Sequence, residues 1–126
     1  MAIAGGRPER TREVAAELAG PKPYDDWREL LERERPDLVS IVTPVDLHRP
    51  MMLAAIAAGC HVLCEKPTAL NVAQAVEMRD AARAAHRVAG INHEFRFLPA
   101  RSYALALVRT GAIGRPRRGE ILGRYP

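Results

Sequence analysis

The sequence predicts an α/β fold on a parallel sheet, and three observations carry that expectation. Apolar, β-branched runs of strand length alternate with segments of helical periodicity along the chain. The run Leu38-Val39-Ser40-Ile41-Val42-Thr43 is nearly unbroken, as in a strand covered on both faces. Glycine or proline closes most of the periodic segments. Strands separated by helices pair in parallel through right-handed crossovers, and such sheets bind ligands at the carboxyl ends of their strands.

Each element follows from local chemistry. Pro8 suits a first helical turn, and Val14, Ala15 and Leu18 recur at helical spacing until Gly20 and Pro21, which predicts a helix over residues 8–19. Asp25 or Asp26 caps a short second helix with Trp27, Leu30 and Leu31 on its apolar face, ending before Pro36. The strand over residues 38–43 comes next. A third helix over residues 50–58 is closed by Gly59 in the left-handed conformation, and residues 61–64 form another strand. Asn71 and Gln74 resemble a capping box that opens a helix to residue 87, with Val72, Ala75, Val76 and Met78 toward the core. Residues 88–92 read as a strand, 99–110 as a fifth helix closed by Gly111, and 117–122 as a final strand in a basic tail.

Composition narrows the function classes. The 126 residues are 48% hydrophobic and 27% charged, which is one folded domain and not a disordered chain. Lys and Arg number 19 against 15 Asp and Glu, a formal net charge of +4, and the excess sits in the tail, where seven arginines from Arg96 to Arg124 face Glu120 alone. These arginines are not interleaved with several aromatics, so no nucleic-acid partner is expected. The longest low-polarity stretch, residues 51–64, is shorter than the roughly 20 residues of a membrane span, and the N-terminus lacks the apolar core of a secretory signal. No membrane partner and a cytoplasmic location are expected. Cys60 and Cys64, four apart in a strand, stand about 13 Å from each other, too far for a disulfide. With His61 they are too few for a zinc site, so no metal is expected and both thiols read as small core residues.

One segment offers chemistry. Glu65-Lys66-Pro67 sets a carboxylate and an ammonium side by side at a strand's carboxyl end. Only Lys22 and Lys66 are lysines among 19 basic residues, so this chain uses arginine for plain positive charge. Lysine can donate and accept a proton once partial burial lowers its pKa, whereas arginine cannot lose its proton. The rival reading is a solvated loop charge paired with Glu65.

Taken together, Ser40-Ile41-Val42-Thr43-Pro44, His48, the run from Ala57 through Cys64-Glu65-Lys66-Pro67, and Asn92-His93-Glu94-Phe95-Arg96-Phe97 resemble the Gfo/Idh/MocA family of NAD(P)-dependent sugar and cyclitol dehydrogenases. The resemblance implies a Rossmann-like parallel sheet with helices on both faces, over residues 1–98, and a linker helix with the start of a second α+β domain over residues 99–126. It implies NAD or NADP as cofactor, a polyol or sugar substrate and a homo-oligomer in the full-length form. Lys66 corresponds to the family's acid/base lysine and Glu65 lies near the nicotinamide. Thr43 and Pro44 line the cofactor cleft, with His48 close by. Asn92 and Arg96 fall on the loop that faces nicotinamide or substrate. For His48 an alternative is a helix-start residue without chemical duty, and for Arg96 a linker arginine paired with Glu94.

The resemblance also exposes absences. The sequence contains no Gly-rich phosphate turn, and Ile3-Ala4-Gly5-Gly6-Arg7-Pro8 aligns with the end of the family's second strand. Arg7 there points to a 2′-phosphate and so to NADP, or is an exposed helix-start arginine. Lack of a first strand leaves a sheet edge uncovered, an aggregation or partner site. The sequence therefore reads as an incomplete Rossmann-like fragment of an oxidoreductase, inactive alone. The alternative is a non-catalytic α/β module that binds a partner.

Overall fold

The computed structural model describes residues 1–18, 20–120 and 122. The chain divides into two compact units, Met1–Asn92 and His93–Pro126. The first alternates strand and helix throughout: β1 (Ala2–Ala4), α1 (Pro8–Glu17), β2 (Lys22–Tyr24), α2 (Trp27–Glu34), β3 (Leu38–Ile41), α3 (Val45–Ala57), β4 (His61–Glu65), α4 (Val72–Ala84) and β5 (Ala89–Asn92). β1 and β2 pair in parallel, with Ile3 opposite Pro23. β3, β4 and β5 form a separate parallel sheet in which Ile41 stands opposite Cys64, and Glu65 opposite Asn92. The parallel α/β expectation is met.

The helix ends show why the chain turns where it does. Asp26 caps α2 by accepting the Arg28 N–H at 2.8 Å. Asn71 caps α4 by accepting the Gln74 N–H at 3.0 Å, while the Gln74 side chain reaches back to the Leu70 N–H rather than to Asn71, a capping box shifted by one residue. Gly59 follows α3 at φ 85°, where a Cβ would be strained. Gly5 is required for a different reason: a Cβ there would stand 2.6 Å from the hydroxyl of buried Thr11.

The core gathers on β3, β4 and β5. Ile41, Met52, Ile56, Cys60, Val62, Cys64, Met78 and Ala82 form one buried cluster with Leu31 of α2. Burying each large member contributes about 1.5–3 kcal/mol. Cys60 and Cys64 are free, fully buried thiols inside it, as their spacing predicts.

Several expectations need correction. The strand β2 is unpredicted, because Lys22-Pro23-Tyr24 is short and contains proline. Helix α3 begins at Val45 rather than at residue 50, so Pro50 lies inside the helix and leaves the Asp46 carbonyl without its usual N–H partner. Helix α4 stops at Ala84, and Val72 and Val76 are exposed; its buried stripe runs through Met78 and Ala82. β3 ends at Ile41, its one buried residue, while Leu38 is 59% and the following Val42 73% exposed. The predicted cover on both faces is therefore absent around β3. Residues 117–120 form no strand, and Ile121 lies outside the described residues.

The second unit opens with a 3-10 turn (Glu94–Phe97) and continues as α5 (Pro99–Arg109), which Gly111 closes at φ 74°. Arg96 and Arg101 place their guanidinium groups over the rings of Phe97 and Phe95, at 5.5 and 5.0 Å.

Candidate functional site

In a parallel sheet the strands deliver their last residues to one end, which here brings Thr43-Pro44, Glu65-Lys66-Pro67 and Asn92 together. Glu65 and Asn92 are register partners. The Asn92 amide donates to Glu65 Oε1 at 2.6 Å, and the Lys66 main-chain N–H donates to Glu65 Oε2 at 3.0 Å. Lys66 Nζ lies 3.9 Å from the same Oε2, with its side chain about half exposed. Both carboxylate oxygens are thus engaged. The Asn92 hydrogen bond, then that of the Lys66 backbone, hold the Glu65 carboxyl below its ordinary range, with the charges of Lys66 and His48 adding to them.

His48 organises the same end from beneath. It projects from the first turns of α3, is 1% exposed, and places Nδ1 2.9 Å from the Pro67 carbonyl and Nε2 2.8 Å from the Thr43 carbonyl. Both ring nitrogens thus lie within hydrogen-bond distance of a main-chain carbonyl. It thereby ties the end of β3 to the turn after β4, where the Lys66-Pro67 peptide is cis. The Thr43 hydroxyl donates to the Met51 sulfur at 3.4 Å, and Pro44 is exposed at the start of α3.

Arg7 is exposed just beyond β1, and its carbonyl accepts both the N–H and the hydroxyl of Thr11. Arg96 belongs to the second unit, where its carbonyl accepts from the Ser102 hydroxyl at 3.2 Å. The sequence pointed to Glu65, Lys66 and Asn92 as residues of one site but not to their mutual bonds. It missed Met51 and the Pro67 carbonyl altogether, for which no motif exists.

The donor set fits the nicotinamide end of a dinucleotide: an amide, a carboxylate and an ammonium at the ends of adjacent strands. The pyrophosphate end lacks its Gly-rich turn within residues 1–126.

Parallel strands alternating with helices, with polar groups gathered at their carboxyl ends, are the arrangement of a Rossmann-like nucleotide-binding domain. The chain belongs to the Gfo/Idh/MocA family, described as "Oxidoreductase family, NAD-binding Rossmann fold", which matches residues 1–93. It is similar to the 1,5-anhydro-D-fructose reductase of Ensifer adhaerens, 42% identical over 108 residues, covering 86% of this chain and 32% of the reductase. Among solved structures it resembles an NAD-binding oxidoreductase from Klebsiella pneumoniae, at TM-score 0.81 and 42% identity, covering 90% of this chain and 30% of that one. It also resembles levoglucosan dehydrogenase in complex with NADH and levoglucosan, at TM-score 0.83 and 33% identity, covering 90% and 31%. The chain spans about a third of the length of the curated relatives it matches. No helix among the described residues is long and apolar enough to cross a membrane.

Proposed function

We propose that this chain forms the nicotinamide-facing part of a dehydrogenase acting on a sugar or cyclitol hydroxyl, with Lys66 as its acid/base group. The observation that carries the reading is the Glu65-Lys66-Asn92 cluster: Lys66 leaves the strand end from a backbone whose N–H is bonded to Glu65, while Asn92 holds the other carboxylate oxygen. The bound cofactor supplies the hydride acceptor, nicotinamide C4. In the oxidative direction the hydroxyl proton would pass toward Lys66 Nζ as the carbinol C–H bond breaks, and the cofactor, when bound, would take that hydrogen with its electron pair. The carbonyl product forms as the O–H bond breaks, and reduction reverses each step.

The other residues position these atoms. Thr43 and Pro44 line the cleft with their backbone, and His48 fixes the spacing between Thr43 and Pro67. Glu65 and Asn92 would hold the nicotinamide end of the cofactor and Arg7 its ribose or 2′-phosphate, with Arg96 a further candidate for nicotinamide or substrate. A sugar or polyol substrate, a homo-oligomer and a cytoplasmic location complete the reading, and the isolated chain is inactive.

A chimera tests it: this chain replaces the matched segment of the Ensifer adhaerens reductase, and turnover of 1,5-anhydro-D-fructose is measured. Lys66→Arg is expected to lower kcat about a hundredfold or more while leaving the cofactor KM within about twofold. An active Lys66→Arg chimera, or a folded, cofactor-binding but inactive parent chimera, overturns the assignment.

A further inference from the structure

We infer that Arg49 and Glu77 are positioning residues for Lys66: their two-bond ion pair fixes the helix into which the Glu65-Lys66-Pro67 turn runs. Neither residue has a part in the hydride-transfer reading, on which their catalytic consequence rests. Arg49 Nε donates to Glu77 Oε2 and Nη2 to Oε1, each at 2.6 Å. The guanidinium fork and the carboxylate thus meet edge to edge between α3 and α4.

Consecutive residues of α3 grip the chain on either side of the start of α4. His48 stands 2.9 Å from the Pro67 carbonyl, and its neighbour Arg49 holds Glu77 in the second turn of α4. Between these two points the chain is tied to itself. The Asn71 side chain accepts the Gln74 N–H at 3.0 Å, and the Gln74 side chain accepts the Leu70 N–H at 3.2 Å. Asn71, Gln74 and Glu77 recur every three residues and share one side of the helix. A rotation or slide of α4 against α3 therefore reaches the turn, whose other end is anchored to the sheet through the Lys66 N–H and Glu65.

The pair adds orientation rather than strength. α3 and α4 already pack on each other, with Met52, Ala55 and Ile56 of the one and Met78 and Ala82 of the other in the buried cluster. The side chains of Arg49 and Glu77 are 41 and 45% exposed, and ion pairs at such positions contribute little to stability. Apolar burial is non-directional, whereas two parallel hydrogen bonds from a planar fork set an angle, which the point charge of a lysine does not. A reacting group displaced by about 1 Å can lose on the order of a hundredfold in rate.

Arg12 and Asp25 supply the control. They form a comparably exposed pair, with Arg12 Nη2 3.1 and 2.9 Å from the two carboxylate oxygens, but they join α1 to the segment before α2.

The chimera with the Ensifer adhaerens reductase and the isolated chain give two independent readouts. In the chimera, Arg49→Lys and Glu77→Gln should each lower kcat about fivefold or more. KM for cofactor and for 1,5-anhydro-D-fructose should stay within about twofold, and the urea midpoint should stay in place. The exchanged pair, Arg49→Glu with Glu77→Arg, should bring kcat back to within about twofold of the parent. In the isolated chain the Lys66 amide should exchange about threefold or more faster in Arg49→Lys than in the parent, and at the parent rate in Arg12→Lys. Unchanged kcat in an active chimera, an equal loss in Arg12→Lys, or a fall in the urea midpoint that accompanies every loss overturns the inference. An inactive parent chimera overturns the hydride-transfer reading instead. The Lys66 exchange rate then decides whether the pair positions the turn: a faster rate upholds it and an unchanged rate overturns it.

Discussion

Glu65 and Asn92 end two neighbouring parallel strands directly opposite each other, and the Asn92 amide donates to the Glu65 carboxylate at 2.6 Å. Twenty-seven residues separate them in sequence. The bond locks the last rung of the ladder to the residue that carries Lys66.

Removing that amide should release the carboxylate. Glu65 is held low in the folded chain, chiefly by Asn92. In Asn92→Ala its NMR titration midpoint should move up toward the ordinary carboxylate value. A folded pKa below the unfolded one means that the stabilisation is complete above the unfolded value and is lost as pH falls through the folded value. The wild-type chain should therefore lose more stability on acidification than Asn92→Ala. An unmoved midpoint would show that Asn92 does not set it.

His48→Ala should be costly for a different reason. It removes the ring that bridges the Thr43 and Pro67 carbonyls and leaves a cavity where a buried side chain stood. Chemical denaturation should register a loss of about 3–5 kcal/mol. His48→Gln, which restores one donor, should recover part of it. A cost below about 1 kcal/mol would mean the imidazole ties nothing together.

The two cysteines should be inert while the chain is folded. Burial, with the charge of Glu65 adding to it, pushes the Cys64 thiol up to about 11, and burial also raises Cys60. At pH 8 neither should react with a disulfide reagent until denaturant is added. The sign at high pH follows: a thiol raised by folding stabilises the chain below its unfolded pKa and loses that contribution as pH climbs toward the folded value. Rapid labelling of the native chain would contradict this burial.

Met78 marks the centre of the core, being fully buried. Met78→Ala should lower stability by about 2–5 kcal/mol. Val72→Ala, six residues earlier on the same helix but 78% exposed, should change it by less than about 0.5 kcal/mol. Equal effects in urea titrations would refute the assignment of the buried stripe.

These contrasts show what a linear reading can reach. The strands β3, β4 and β5 were legible because β-branched runs bounded by turns have few other uses, and the site followed because parallel strands end on one side. β2 was not legible, since three residues around a proline carry no periodicity. The start of α3 was misplaced because Pro50 suits a first turn, whereas packing extends the helix to Val45 and tolerates the missing N–H. Val72 and Val76 looked like core because apolar spacing does not say which stripe the sheet covers. The duty of His48 was hidden for a simpler reason: its partners are main-chain carbonyls, which every residue has.

The uneven placement of the core has a consequence for how a protease meets this molecule. The large buried cluster belongs to α2 through α4, while among the described residues the leading β1-α1-β2 segment buries just Thr11, Ala15, Pro21 and Tyr24. Trypsin recognises arginine, and α1 carries Arg10 and Arg12 in this thinly anchored segment, whereas Arg79 and Arg83 ride on the helix that holds Met78. Cleavage follows the ease of local opening rather than the count of target residues. The first cuts should therefore shed the amino-terminal segment and leave a resistant piece around β3, β4 and β5, whose mass would measure where the molecule's durable part begins.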